Sequence, residues 1–288
     1  MKVIKLKVTP HSSFISFPKG DMLFGHFAST LFLQGDERLK DYLHHKPQII
    51  LSDFLPDGYL PKPTLPLESF SVNESDKKDF QKKRWTSIEN LQNGQLDRYE
   101  NLTFYETNTV IRNSINRNTF STNSTDESGF FAPYGIQELV FLKMPVVYVM
   151  FDESFQAEEI VDIFNSIGKN GFGKKSSIGK GQFSVEQDSD FQGFLQLDTQ
   201  YYLTLSPTFL HNQNIKNCYY DTFNRFGKYA NVNTPFKKPV LMADSASVVM
   251  LEEKRDYIGQ GVNNGTNTPS FVQGYSILVP FKFDGKGL

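Results

Sequence analysis

Residues 168–181 read GKNGFGKKSSIGKG: five glycines, four lysines, two serines and no carboxylate in fourteen positions. Glycine lets the backbone turn its N–H groups outward into a concave anion site, and lysine adds positive charge. The flanks restrict which fold can present such a segment. Upstream, Ile160, Ile163, Phe164 and Ile167 mark one helical face, with Ser154 as N-cap, Glu158 and Glu159 early, and Gly168 as C-cap. Downstream, Gln182-Phe183-Ser184-Val185-Glu186 alternates as a short strand. The order is therefore helix, glycine loop, strand. A nucleotide-binding P-loop needs the reverse, because its phosphate sits on the N-terminus of the helix that follows. Gly168 to Lys174 fits the spacing G-x-x-x-x-G-K, but Lys175 stands where the Mg²⁺-binding Ser or Thr belongs. A P-loop is rejected. A bland flexible turn is the competing reading, and four lysines without an acidic neighbour in the segment make it the weaker one.

Whole-chain charge narrows the choice further. Net charge is −2 and the pI is near 6.2, so a polyanion site must be a local basic patch rather than a property of the whole surface. The 27 Phe and 13 Tyr supply a core, with rings to spare for stacking on bases. Cys218 is the sole cysteine, which excludes an internal disulfide framework and any multi-cysteine zinc site. Five scattered histidines, among them His44, His45 and His211, show no metal-ligand spacing, and no cofactor motif is present. The start, MKVIKLKV, alternates as a strand rather than a signal peptide, and the apolar run 146–151 is too short to span a bilayer. A soluble, cytoplasmic protein without a membrane partner is expected.

The pattern along the chain predicts strand 2–9, a helix capped by Asp21 and ended by Gly35, and a short strand at 49–52. The stretch LPDGYLPKP (55–63) is an ordered turn or extended segment. Residues 71–99 read as a surface insertion, with Trp85 either a partner contact or an anchor onto the core. Residues 100–131 read as a protruding hairpin or arm. Residues 139–151 read as one long strand or a pair bent around Pro145. Strand, helix, strands with an insertion, helix and strand make a ferredoxin-like split βαβ unit, the architecture of RNA-recognition domains. Strands near 200–206, 238–242, 246–251 and 273–283, with an amphipathic stretch at 219–229, suggest a second unit. The expectation is an α+β chain of two ferredoxin-like (RRM-like) domains, 1–190 and 191–288, with a thumb-like hairpin inserted in the first.

Several segments together resemble one family. GDMLFGHF (20–27), LPDGYLPKP (55–63), NSINRNT (113–119) and the glycine loop through Phe183 are similar to motifs of RAMP-superfamily proteins that form the fourth subunit of Csm, the type III-A CRISPR effector. KPVLM (238–242) and VQGY (272–275) extend the resemblance. The chain departs from the family at Lys174-Lys175-Ser176-Ser177-Ile178, where an acidic residue and a Ser–Thr step are common, and at the turn Asp244-Ser245-Ala246-Ser247.

The resemblance implies a non-catalytic subunit that holds the 5′ handle of the CRISPR RNA. It also implies docking onto the large polymerase-like subunit and the backbone RAMP subunit, with indirect contact to target RNA. Loop contacts to RNA are assigned to Gly168, Lys169, Gly171, Gly173, Lys174, Lys175, Ser176, Ser177, Gly179, Lys180 and Gly181, with Lys19, Gly20 and His26 at the first helix. Asn113, Asn116 and Arg117 form a second site, since an Asn amide can read a base edge and Arg a phosphate or a base face. Ile111, Ile115, Phe120 and Phe130 are the candidates for an apolar thumb wedge. The alternative function is a metal-independent endoribonuclease using His26, paired with His11 and Lys19, although no spacing brings these together. A protein-interaction module with an incidental basic loop is the third reading.

Overall fold

The run Pro145–Phe151 has no polar face, so a strand built from it must be covered on both sides. The computed structural model describes residues 1–288 except 45, 71, 73, 116–119, 121, 123–132, 230–235, 267–269 and 286–288. The order begins with β1 (Lys2–Pro10), α1 (Gly20–Leu33), β2 (Ile49–Leu51), β3 (Leu55–Pro56) and β4 (Tyr59–Pro61), then α2 (Lys77–Lys82), β5 (Trp85–Ser87) and α3 (Ile88–Gln92). Next come β6 (Tyr105–Arg112), β7 (Tyr134–Phe141), β8 (Pro145–Phe151), α4 (Ala157–Asn170) and β9 (Phe183–Gln187). The C-terminal part holds β10 (Tyr201–Thr204), β11 (Asn217–Tyr219), β12 (Thr222–Arg225), β13 (Val240–Ala243), β14 (Val248–Met250), β15 (Tyr257–Asn263) and β16 (Phe271–Pro280). The chain is a mixed, strand-rich α/β protein with few helices.

The first sheet runs β2-β8-β1-β9, with β3 also on β8, and every pairing is antiparallel. Alternation along β1 separates its two faces. Leu6 and Val8 are fully buried in one core with Phe27 of α1 and Phe164 of α4. On the other face Lys5 and Lys7 reach the Asp188 carboxylate at 2.5 and 3.1 Å, and Tyr148, opposite Lys5, packs on Phe191 and Phe194.

The second sheet runs β11-β14-β10-β16-β15. Among the described residues, 191–288 contains no helix, which departs from the expected α+β second unit. The stretch 219–229 runs through the end of β11 and β12 instead of forming a helix. Its cover comes from the first half: Phe24 of α1 and the fully buried Tyr42 pack on Phe271. The Gln273 amide clamps the backbone of Leu51, donating to its carbonyl at 2.8 Å and accepting from its N–H at 2.9 Å. Gly20 makes this junction possible, because a Cβ there would sit 2.3 Å from the Leu51 carbonyl oxygen. One continuous core spans both sheets.

Several boundaries move. Helix α1 is capped by Lys19 rather than Asp21, whose carboxylate is engaged by Arg225. The N-cap of α4 is Gln156, while Ser154 bonds Asp152. Residues 139–151 belong to two different sheets, broken after Phe141. The segment 71–99 buries Phe80, Leu91, Leu96 and Tyr99 in the same continuous core rather than lying on the surface, and Trp85 is an anchor packed on Phe104. Strands β6 and β7 pair from Tyr105↔Phe141 to Arg112↔Tyr134. Every residue of β6 except Arg112 is exposed, so this ribbon stands off the core.

Candidate nucleic-acid interface

Helix α4 continues through Gly168 to Asn170 before Gly171 caps it. It runs past the predicted stop because Gly168 is needed for contact rather than termination: a Cβ there would lie 2.0 Å from the Phe183 carbonyl oxygen. Gly171, Gly173, Gly179 and Gly181 all have positive φ, as does Lys175 at 64°. Between the glycines, Phe172 is fully buried against Phe14 and works as the plug that holds the loop to the body. Phe14 also exchanges two backbone hydrogen bonds with Leu139 of β7. One aromatic cluster therefore seats both the loop and the root of the ribbon. Sequence reading missed Phe172, although a lone ring between two glycines is a signal for such an anchor.

Polar contacts join the same two elements. The Lys180 ammonium donates to Glu138 Oε2 at 2.6 Å and to Ser13 Oγ at 2.7 Å, and Arg112 reaches Glu138 Oε1 at 2.9 Å. Hydrogen bonding by Lys180 and Ser13, then by Arg112, outweighs burial and holds the Glu138 carboxyl at a pKa of about 2. This corrects the reading of the loop lysines as lacking an acidic partner: Lys180 is committed internally. Glu138 could be found from sequence only by knowing the β6–β7 register.

The remaining cations are available. Lys169, Lys174 and Lys175 are exposed, and Lys175 lies 5.9 Å from the Tyr134 ring of β7. Lys175, left-handed, leads into the tight turn 176–178. Among the described residues, the amides of 174–177 find no acceptor outside that turn. Amides without such an acceptor, beside exposed lysines, are the groups that an anion-binding loop needs. Asn113 is exposed directly beyond Arg112, at the same end of the ribbon. Asn116, Arg117 and Phe130 lie outside the described residues. Ile111, Ile115 and Phe120 are exposed, so exposure does not choose a wedge among them.

His26 sits beneath the loop. Its ring packs on Phe172 at 4.8 Å and its Nε2 accepts the Gly173 N–H at 3.3 Å. Burial pushes its pKa down, which keeps the imidazole in the neutral form that can accept. Lys19 and Gly20 belong to a neighbouring cluster. Burial disfavours the Lys19 ammonium, but Asp53 and Asp244 outweigh that, and Asp244 Oδ1 lies 2.5 Å away. The Gly20 N–H donates to Asp53 Oδ1 at 2.8 Å. His11 contacts Ser184 instead. The contacts of His11, His26 and Lys19 thus point to three separate places. Among the described residues no group of three or more potential metal ligands forms, and no helix is long and apolar enough to cross a membrane.

No protein-family profile and no curated protein matches the sequence. Solved structures do match the fold, which is the RAMP-like fold found in type III CRISPR effector complexes. A chain in the crystal structure of a Csm1-Csm4 cassette with pppApA superposes with TM-score 0.62 at 15% identity, over 98% of this chain and 99% of that one. A chain of a Csm3-Csm4 subcomplex of the type III-A interference complex gives 0.61 at 17% identity, over 97% and 99%. The fold shared here is that of Csm4, the component common to both. A chain of a type III-B Cmr-beta complex bound to cognate target RNA and AMPPnP gives 0.53 at 17% identity, over 85% and 86%.

Proposed function

We propose that this protein is a Csm4-like, non-catalytic subunit of a type III-A effector complex that grips the 5′ handle of the guide RNA. The observation that carries the reading is the joint of loop and ribbon. Three exposed lysines and amides with no backbone acceptor among the described residues lie beside a projecting hairpin, held there by the Lys180–Glu138–Arg112 pairs. Phosphates rest on Lys169, Lys174, Lys175 and the amides around Ser176 and Ser177, while Asn113, with Asn116 and Arg117, meets bases displaced by the thumb. Lys180 and His26 shape this site by holding the loop in place, while Lys19 and Gly20 brace the neighbouring start of α1. In finer terms, the first sheet with α1 and α4 is read as a ferredoxin-like unit. Residues 1–190 and 191–288 are read as two lobes on a shared core. The partners proposed from the structural likeness are the large polymerase-like subunit and the backbone RAMP subunit, with target RNA reached indirectly, in the cytoplasm.

Co-expression with partner subunits, purification and extraction of bound RNA tests this. Short guides sharing a common 5′ sequence are expected; absence of RNA contradicts it. The nuclease reading is less favoured, because His26 is half-buried and already used by Gly173. Cleavage of repeat RNA in EDTA that vanishes in His26→Ala would restore it.

A further inference from the structure

The described stretches 222–229 and 236–243 form a second ribbon that the loop and thumb leave unused. Its strands pair from Thr222↔Ala243 to Arg225↔Val240, and the bridge Lys228↔Phe236 continues them. The stretch holds Arg225, Lys228, Lys237 and Lys238, four rings (Phe223, Phe226, Tyr229 and Phe236) and no carboxylate. Its cations lie on its rings: Lys228 Nζ is 4.9 Å from the Phe236 centroid and Lys237 Nζ is 5.0 Å from that of Tyr229. Nevertheless Phe226 and Phe236 remain 74% and 64% exposed. Open aromatic faces beside cations are what a single-stranded nucleic acid needs, since every base can stack and every phosphate can be neutralised.

The root of this ribbon is fixed in relation to the glycine loop. Arg225 makes a two-pronged ion pair with Asp21 in the first turn of α1, and the Lys19 ammonium lies 4.8 Å from the Phe223 ring. The same end of α1 meets the loop through Met22 and His26, both beside Gly173. Two cationic elements thus flank one helix end. Along β13, the exposed Leu241 borders a groove of about 860 Å³ together with Tyr220 and Asn212, roomy enough for a nucleotide.

We propose that the 222–243 ribbon is a second single-stranded RNA-binding element, which stacks bases on Phe226 and Phe236 and meets phosphates with Lys228 and Lys238. The proposal rests on the RNA-binding reading of the chain and extends it to a separate surface. The test uses the full chain with a fluorescent oligouridine containing 4-thiouridine, at several salt concentrations. Two variants are compared: Phe226→Ala/Lys228→Ala/Phe236→Ala/Lys238→Ala in the ribbon, and Lys169→Ala/Lys174→Ala/Lys175→Ala in the loop. The ribbon variant should bind at least about tenfold more weakly, with a salt slope flatter by about 1.4. Crosslinks on the unaltered chain should include peptides from 222–243, a readout that depends on no variant's folding. Unchanged affinity in the ribbon variant together with absent crosslinks there overturns this inference alone. A loop variant that binds normally overturns the loop assignment alone. No binding by the unaltered chain overturns both. A ribbon variant that binds RNA normally but no longer assembles with partner subunits makes the ribbon a protein-docking surface and also overturns the proposal.

Discussion

The Lys180 ammonium meets the Glu138 carboxylate at 2.6 Å, with the two side chains only 18% and 8% exposed. One residue closes the glycine loop and the other belongs to the strand that returns from the ribbon. Their pairing makes the two elements a single unit, and it separates lysines that shape the site from lysines free to bind.

Replacing Glu138 with Gln should destabilise the protein by about 2–3 kcal/mol, because it leaves the Lys180 ammonium half-buried without its counter-charge. The sign with pH follows from the depressed carboxyl. Its contribution is complete above the unfolded value of 4.5 and is lost as pH falls toward about 2. Denaturant melts across that window should therefore show a steeper acid loss in the unaltered protein than in Glu138→Gln.

Lysines of one loop should behave in two ways. Lys174→Ala/Lys175→Ala should weaken RNA binding and flatten the salt slope by about 1.4, with an unchanged melting temperature. Lys180→Ala should lower the melting temperature first, because it strips Glu138 and Ser13 of their donor. Equal effects of the two variants on stability would contradict the division.

Glycines in the loop should divide similarly. Gly168→Ala drives a Cβ to 2.0 Å from the Phe183 carbonyl oxygen, where only backbone can yield, so a loss of about 3 kcal/mol or more is expected. Gly179→Ala meets open space and has only its φ of 81° to strain, which costs about 1 kcal/mol. Chemical denaturation of both variants measures the contrast. Intrinsic helix propensity alone would predict that Ala at 168 stabilises the helix.

Acid should loosen the loop through His26. Its folded pKa lies below the unfolded value of 6.5, so its contribution to stability is complete above that value and declines as pH falls through it toward the folded pKa. The protection factor of the Gly173 amide, taken relative to its intrinsic exchange at each pH, should fall over this range, since a protonated Nε2 cannot accept. His26→Leu, which has no acceptor, should show low protection at every pH. A pH-independent protection factor at Gly173 in the unaltered protein would contradict the contact.

Much of the frame was legible because it is written in local periodicity. The β1 alternation, the apolar stripe of α4 and the turn residues around Gly58 each announce their element. The polar composition of 100–131 suggested a protruding hairpin or arm, but the strand that pairs with 105–112 is 134–141, beyond that range. The misreadings have one common cause, which is contacts distant in sequence. Asp21 has the chemistry of an N-cap but is taken by Arg225 more than two hundred residues away. Lys180 looks free until the strand register places Glu138 beside it. The second sheet borrows its cover from α1 and Tyr42, so no helix of its own was needed within 191–288 among the described residues. Nothing local to those segments encodes such pairings.

The most direct test of the central claim is a structure of the assembled complex with its guide RNA, read at the loop. The account predicts phosphate oxygens within about 3 Å of the Lys174 or Lys175 ammonium or the 174–177 amides, with a nucleotide displaced at the adjoining ribbon. Guide RNA that passes elsewhere, leaving those lysines in solvent, would contradict it.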